Sequence, residues 1–189
     1  MKTNRNKLNL LLVALLLGLA ALACNLGDET DKANKLVDEG NAAVEEAKKQ
    51  ANEGDEKKTK MMEAVSAIHT KDDLAHARDI AREVIAAYDK AKNKCDEAAK
   101  KFEEASKLKV KDKFKEYLTL KMKEFQKRAE AAEAAKATPQ ALIDSESRSA
   151  FESQTKSNNE KVDKLVAESR DLAEQADKIR SENKDIFKS

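Results

Sequence analysis

The chain has one proline, four glycines and no tryptophan in 189 residues. Turn-forming residues are therefore scarce, and β-branched residues are sparse as well, which argues against a strand-rich fold. Aromatics make up 4% of the chain, so no large aromatic core is expected. With two cysteines, Cys24 and Cys95, a disulfide-dense scaffold is excluded. His69 and His76 are the only histidines. No GxSxG, HExxH, Walker or GxGxxG pattern occurs. An excess of one charge is also missing, since the formal net charge is +1. That balance argues against nucleic acid as the main partner and against a polybasic membrane surface.

Charge itself is abundant: Asp, Glu, Lys and Arg supply 39% of the residues. Together with alanine they fill nearly every stretch with strong helix formers. A mean hydropathy of −0.76 would suit a disordered chain. The spacing of the apolar residues argues instead for packed helices.

The N-terminus differs from the rest. Lys2, Arg5 and Lys7 precede an apolar run from Leu8 to Leu17, interrupted only by Asn9. Gly18, Ala20, Ala21 and Ala23 then lead into Cys24. Charged, apolar, then small is the order of a secretory signal peptide. A membrane-spanning helix competes, but Leu8 to Ala23 would reach only about 24 Å, short of the ~20 residues a span needs. Ala21-Leu22-Ala23-Cys24 resembles the lipobox of bacterial lipoprotein precursors, with Ala21 where that class favours leucine. The resemblance covers residues 1–24. It implies that residues 1–23 are removed and that Cys24 becomes a lipidated N-terminus. Two acyl chains suffice for stable anchoring, at about 0.8 kcal/mol per buried CH₂. In that class Asn25 after the cysteine implies an outer-membrane address in a Gram-negative envelope.

Removing Lys2, Arg5 and Lys7 from the 37 basic residues leaves 34 against 36 acids, a net charge of −2. Residues 24–30 read as the lipidated N-terminus and a short tether, Asn25 to Thr30 reaching at most about 20 Å. Residues 31–189 read as one domain.

From Ala33 a heptad seam runs through Val37, Gly40, Val44, Ala47, Ala51, Gly54, Lys58, Met61, Val65 and Ile68. The phase survives Gly54 and predicts one long helix, over about 31–69, with a small-residue face that a neighbour can approach closely. Thr70 caps a second helix, over 71–107, with Asp72 and Asp73 in its first turn. Its seam is Leu74, Ala77, Ala81, Val84, Tyr88, Ala91, Cys95, Ala98, Phe102 and Ala105. The phase then fails. Leu108, Val110, Phe114, Leu118, Phe125, Ala129 and Ala132 form a new stripe, predicting a turn near 107–112 and a helix over 112–137. One continuous helix from 71 to 137 is the alternative. Thr138-Pro139 reads as N-cap and first helical residue of a last helix over 139–187. Its stripe includes Leu142, Phe151, Val162, Leu165, Leu172, Ala176, Ile179 and Ile186, with polar Thr155 and Asn158 on the same face. The expected fold is all-α, an elongated antiparallel bundle of four helices, or of three around a long central one. At about 73 Å, the last segment is longer than its neighbours in the four-helix arrangement and would overhang them.

Candidate chemistry is thin. His69 and His76, with Asp72 and Asp73, are an imaginable surface metal site, though solvated residues are the plainer reading. Cys95, on the seam, reads as a small buried hydrophobe. Tyr88, Phe102, Phe114, Tyr117 and Phe125 flank the 107–112 turn, either as a core plug or as the lining of a pocket. In a symmetric hairpin Phe102 meets Tyr117 and Cys95 approaches Phe125. The expected function is a non-enzymatic envelope lipoprotein that binds or scaffolds through its helix faces, with a protein partner or a second copy. The alternative is a small-ligand or metal-binding lipoprotein using the aromatic cluster or the His69/His76 turn. No cofactor is expected.

Overall fold

The computed structural model describes residues 27–187, and among them every regular element is helical. Six helices follow in order: α1 (Thr30–Ser66), α2 (Lys71–Ser106), α3 (Asp112–Ala135), α4 (Ala137–Asp144), α5 (Arg148–Gln154) and α6 (Lys156–Glu182). Among the described residues no helix is long and apolar enough to cross a membrane.

The predicted seam of α1 is buried or half-buried throughout, and the helix runs unbroken through Gly54. Thr70 caps α2 as predicted. Its hydroxyl accepts from the Asp73 amide (3.2 Å), and Asp73 accepts in return from the Thr70 amide (2.8 Å). That reciprocal pair satisfies two donors which the start of a helix leaves open. Along α2 every predicted seam residue from Ala77 to Ala105 is buried. α1 and α2 lie antiparallel, joined across their length by Lys101–Glu39 (2.6 Å) and Lys57–Glu83 (3.1 Å).

The break after Ser106 is real, so α2 and α3 are separate helices. Their pairing differs from the symmetric hairpin. Phe102 stacks on Phe125 (ring centroids 5.7 Å), not on Tyr117, and Asp89 pairs with Lys136 (2.6 Å). α3 is thus displaced by about two turns along α2. The first turns of α3 run past the end of α2, where Phe114 and Tyr117 pack edge-on against Phe187 at 5.4 and 4.9 Å. Leu108 and Val110 join the same cluster.

The last segment is where the expectation fails. Thr138 is not an N-cap and Pro139 does not open the return helix: both lie inside α4, buried. α3 ends at Ala135, the residue four before Pro139. A proline ring clashes with that carbonyl and supplies no N–H to it, so the helical ladder breaks there. α4 covers the part of α2 that α3 leaves bare, burying Leu142 in a cluster with Ala77, Ala81, Val84 and Phe151. The chain reverses at 145–147. Arg78 Nη2 donates to the Ser145 carbonyl (2.5 Å) and Arg148 Nη1 to the Ser66 carbonyl (3.1 Å). Ser147 caps α5, and a further break at Thr155 precedes α6. α6 returns antiparallel along α3, with Leu165, Ala176 and Ile179 buried. The predicted overhang is absorbed by these breaks.

Candidate functional site

The helices pack in chain order: α1 on α2, α2 on α3, α3 on α6. α1 and α6 face one another without closing. Lys58 Nζ reaches across to Asn159 Oδ1 (3.3 Å), which gives this seam lysine a partner. Between the two helices lies a groove of about 400 Å³. Its floor is Ala91 and Cys95 of α2 with Phe125, Ala131 and Ala135 of α3. Val44, Ala47 and Ala51 of α1 form one wall, and Val162, Val166 and Ser169 of α6 the other. Small floor side chains leave the space, and the splay of α1 from α6 opens it. The groove continues toward the Phe187 end as a second stretch of about 390 Å³, sharing Val44, Lys48 and Phe125. In the first stretch Val166 is 41% exposed, one of two large hydrophobics so exposed among the described residues. A wider depression of about 690 Å³ on another face, between α2, α3 and α6, is lined by charged side chains such as Asp96, Glu130 and Lys161 interspersed with alanines. We read it as solvated surface.

Two polar constructions border the groove. Tyr88 donates to Asp55 Oδ1 (2.6 Å), and its ring lies flush against Gly54. Burial and the Asp55 carboxylate push the phenol far above its usual range. Glu124 is 2% exposed, and its carboxylate is shared by Lys121 (2.5 Å) and Arg128 (2.9 Å). Both cations also lie over the Phe125 ring, at 4.9 and 5.4 Å. The buried Glu124 was not legible as such: its neighbours are charged, and only the position beside Phe125 hints that it turns inward.

The remaining candidates fall in different places. Cys95 is buried, as its seam position suggested, and lines the groove floor, and burial pushes its thiol up to about 11. A thiol protonated at neutral pH is a poor nucleophile. His69 and His76 are both exposed. Asp73 accepts from the amides of His69 (2.9 Å) and Thr70 (2.8 Å), which gives the turn a capping role. Among the described residues no three His, Cys, Asp or Glu side chains gather as metal ligands would. Four of the five aromatics, Phe102, Phe114, Tyr117 and Phe125, share one buried cluster that Tyr88 does not join. Phe102 is fully buried against Gly40, Phe114 and Tyr117 close the Phe187 end, and Tyr88 belongs to the opposite half. Only Tyr88, Tyr117 and Phe125 reach the groove. Residues 1–24, with the lipobox and Cys24, lie outside the described residues.

Comparison of the chain with models of known families, with curated proteins and with solved structures finds no match.

Proposed function

We propose that this protein is a lipid-anchored bacterial envelope protein that acts without catalysis, binding a partner in the groove between α1 and α6. The address rests on the charged, apolar and small order of residues 1–23 before Cys24. The binding role rests on one observation: α1 and α6 stand apart over an apolar floor, leaving about 400 Å³ open. An unpaired apolar channel between two helices is where a partner's amphipathic helix inserts its anchoring side chains. The size of the channel supports a second reading, since small-molecule sites span about 300–1,000 Å³ and are mostly apolar with a few polar groups.

A photo-crosslinking residue at Val166 tests the role, with exposed Glu97 on α2 as control. A defined adduct at 166, absent at 97 and lost when Ala131→Trp fills the floor, supports a protein partner. A bound mass seen by native mass spectrometry and lost in Ala131→Trp supports the small-ligand reading. If neither appears, the groove is not a binding site. Intact mass of the membrane-extracted protein beside Cys24→Ala tests the anchor.

A further inference from the structure

We infer that the α2–α3 loop is a membrane-facing surface, which docks on anionic lipid headgroups and sets the domain upright on its anchor. This rests on the lipid-anchored reading above. The chain approaches the domain at this loop. The Glu29 amide donates to the Lys109 carbonyl (2.9 Å), and Glu29 Oε2 accepts from the Lys109 amide (3.0 Å). Cys24 is five residues before Glu29 in the sequence, a distance of at most about 18 Å. A lipid on Cys24 therefore holds this end of the domain close to the bilayer.

The loop has the charge for that surface. Residues 107–113 read KLKVKDK, four lysines against one aspartate. Their alternation turns Lys107, Lys109, Lys111 and Lys113 outward and packs Leu108 and Val110 inward. Lys107 pairs with Glu103 (2.6 Å) and Lys113 with Glu116 (2.7 Å), exposed pairs that hold their lysines weakly. Lys109 and Lys111 form no ion pair among the described residues. Two carboxylates stand nearby and offset part of this charge: Asp28 accepts from the Thr30 amide and hydroxyl and attracts Lys111, and Glu29 accepts from the Lys109 amide and from Lys32. A near-neutral total charge concealed this local concentration.

Basic residues beside an anionic leaflet each strengthen its attraction about fivefold, so Lys109 and Lys111, the two without an ion pair, multiply the docked population about 25-fold. The test uses the wild-type protein, extracted from membranes and reconstituted into phosphatidylcholine vesicles with or without 30 mol% phosphatidylglycerol. Its lysines are modified with a water-soluble amine reagent and read by mass spectrometry, after intact mass confirms the acyl chains. Lys107, Lys109, Lys111 and Lys113 are expected to be protected by more than about tenfold in the anionic vesicles only. Exposed Lys49 and Lys164 stay unchanged, and 1 M salt, with its ~3 Å screening length, abolishes the protection. Equal reactivity in both vesicle types, or protection equal in both, overturns the docking surface and leaves the anchor standing. A protein without acyl chains overturns the anchor, and the docking surface with it.

Discussion

Gly54 and Gly40 occupy the same face of α1, and converting each to alanine isolates the packing of α1 on α2. In both cases alanine gains helix propensity of about 1 kcal/mol. That contribution cancels in the comparison. At Gly54 an added Cβ would lie 2.7 and 2.9 Å from two ring carbons of Tyr88. The ring cannot slide away freely, because its hydroxyl is held by Asp55 at 2.6 Å and it is 4% exposed. At Gly40 the nearest atom is Cζ of Phe102 at 3.2 Å, which a small shift relieves. Overpacking of the first kind costs about 1–3 kcal/mol. Gly54→Ala is therefore expected to be neutral to destabilising by about 2 kcal/mol. Gly40→Ala should come out near neutral or up to about 1 kcal/mol more stable. Urea titration of both variants measures the difference, and thermal melts should separate them by several degrees, at about 2–4 °C per kcal/mol. Replacing Tyr88 by leucine removes the obstructing ring, so Gly54→Ala in that background should show its propensity gain, and the coupling between the two changes should equal the relieved overpacking, about 1–3 kcal/mol. If Gly54→Ala is as stable as Gly40→Ala, the contact between α1 and the Tyr88 ring is looser than described and the argument fails.

The polar groups carry further expectations. Cys95, with its thiol pushed up to about 11 from an ordinary value near 9, should react about 100-fold more slowly with a thiol reagent at pH 8 than an exposed cysteine. The unfolded chain loses this proton first, so the group's contribution to stability is intact below pH 9 and declines between about 9 and 11; denaturant titrations of wild type and Cys95→Ala across that range would show it. Thr70→Ala should cost about 1 kcal/mol by unfolding titration through loss of the α2 cap. Asp73, whose carboxylate is held below its usual range by the His69 and Thr70 amides, supports that cap above its unfolded pKa; the support disappears as pH falls through the depressed folded value. An acid titration of Asp73→Asn should lack that step. Glu124→Ala should destabilise by about 2–3 kcal/mol, since it strips two charged hydrogen-bond partners from a buried site. A loss under 0.5 kcal/mol would show that Lys121 and Arg128 reach water without help.

Periodicity located the first two helices because their seams are unbroken and one residue, Thr70, supplies the stop and the start between them. It located the 107–111 turn through a change of phase alone, with no glycine or proline to mark it. Other features depend on distances that a pattern does not hold. Pro139 fits two positions, the first turn of a new helix or a break in an old one. The choice was made by the uncovered apolar face of α2, which α4 fills. The α2–α3 pairing shifted because Phe114 and Tyr117 gain Phe187, a residue outside the predicted stripes. The groove was least legible. A small-residue seam permits a close neighbour, as α2 is to α1, and leaves a gap when the neighbour stands off, as α6 does. Alanine spacing reads the same in both cases.

The open seam between α1 and α6 changes how the fold should come apart. In a closed bundle each helix is held from two sides, and the helices form a ring. Here they form a line, α1 to α2 to α3 to α6, each packed mainly on the next in that line. A line has ends, as repeat proteins do, and its stability is close to a sum of neighbouring interfaces. α6 is such an end, gripped chiefly by α3, tied to α1 through Lys58 and Asn159, and joined to the rest through the break at Thr155. It should exchange its amide hydrogens by a local opening well before α2, which is clasped on both sides.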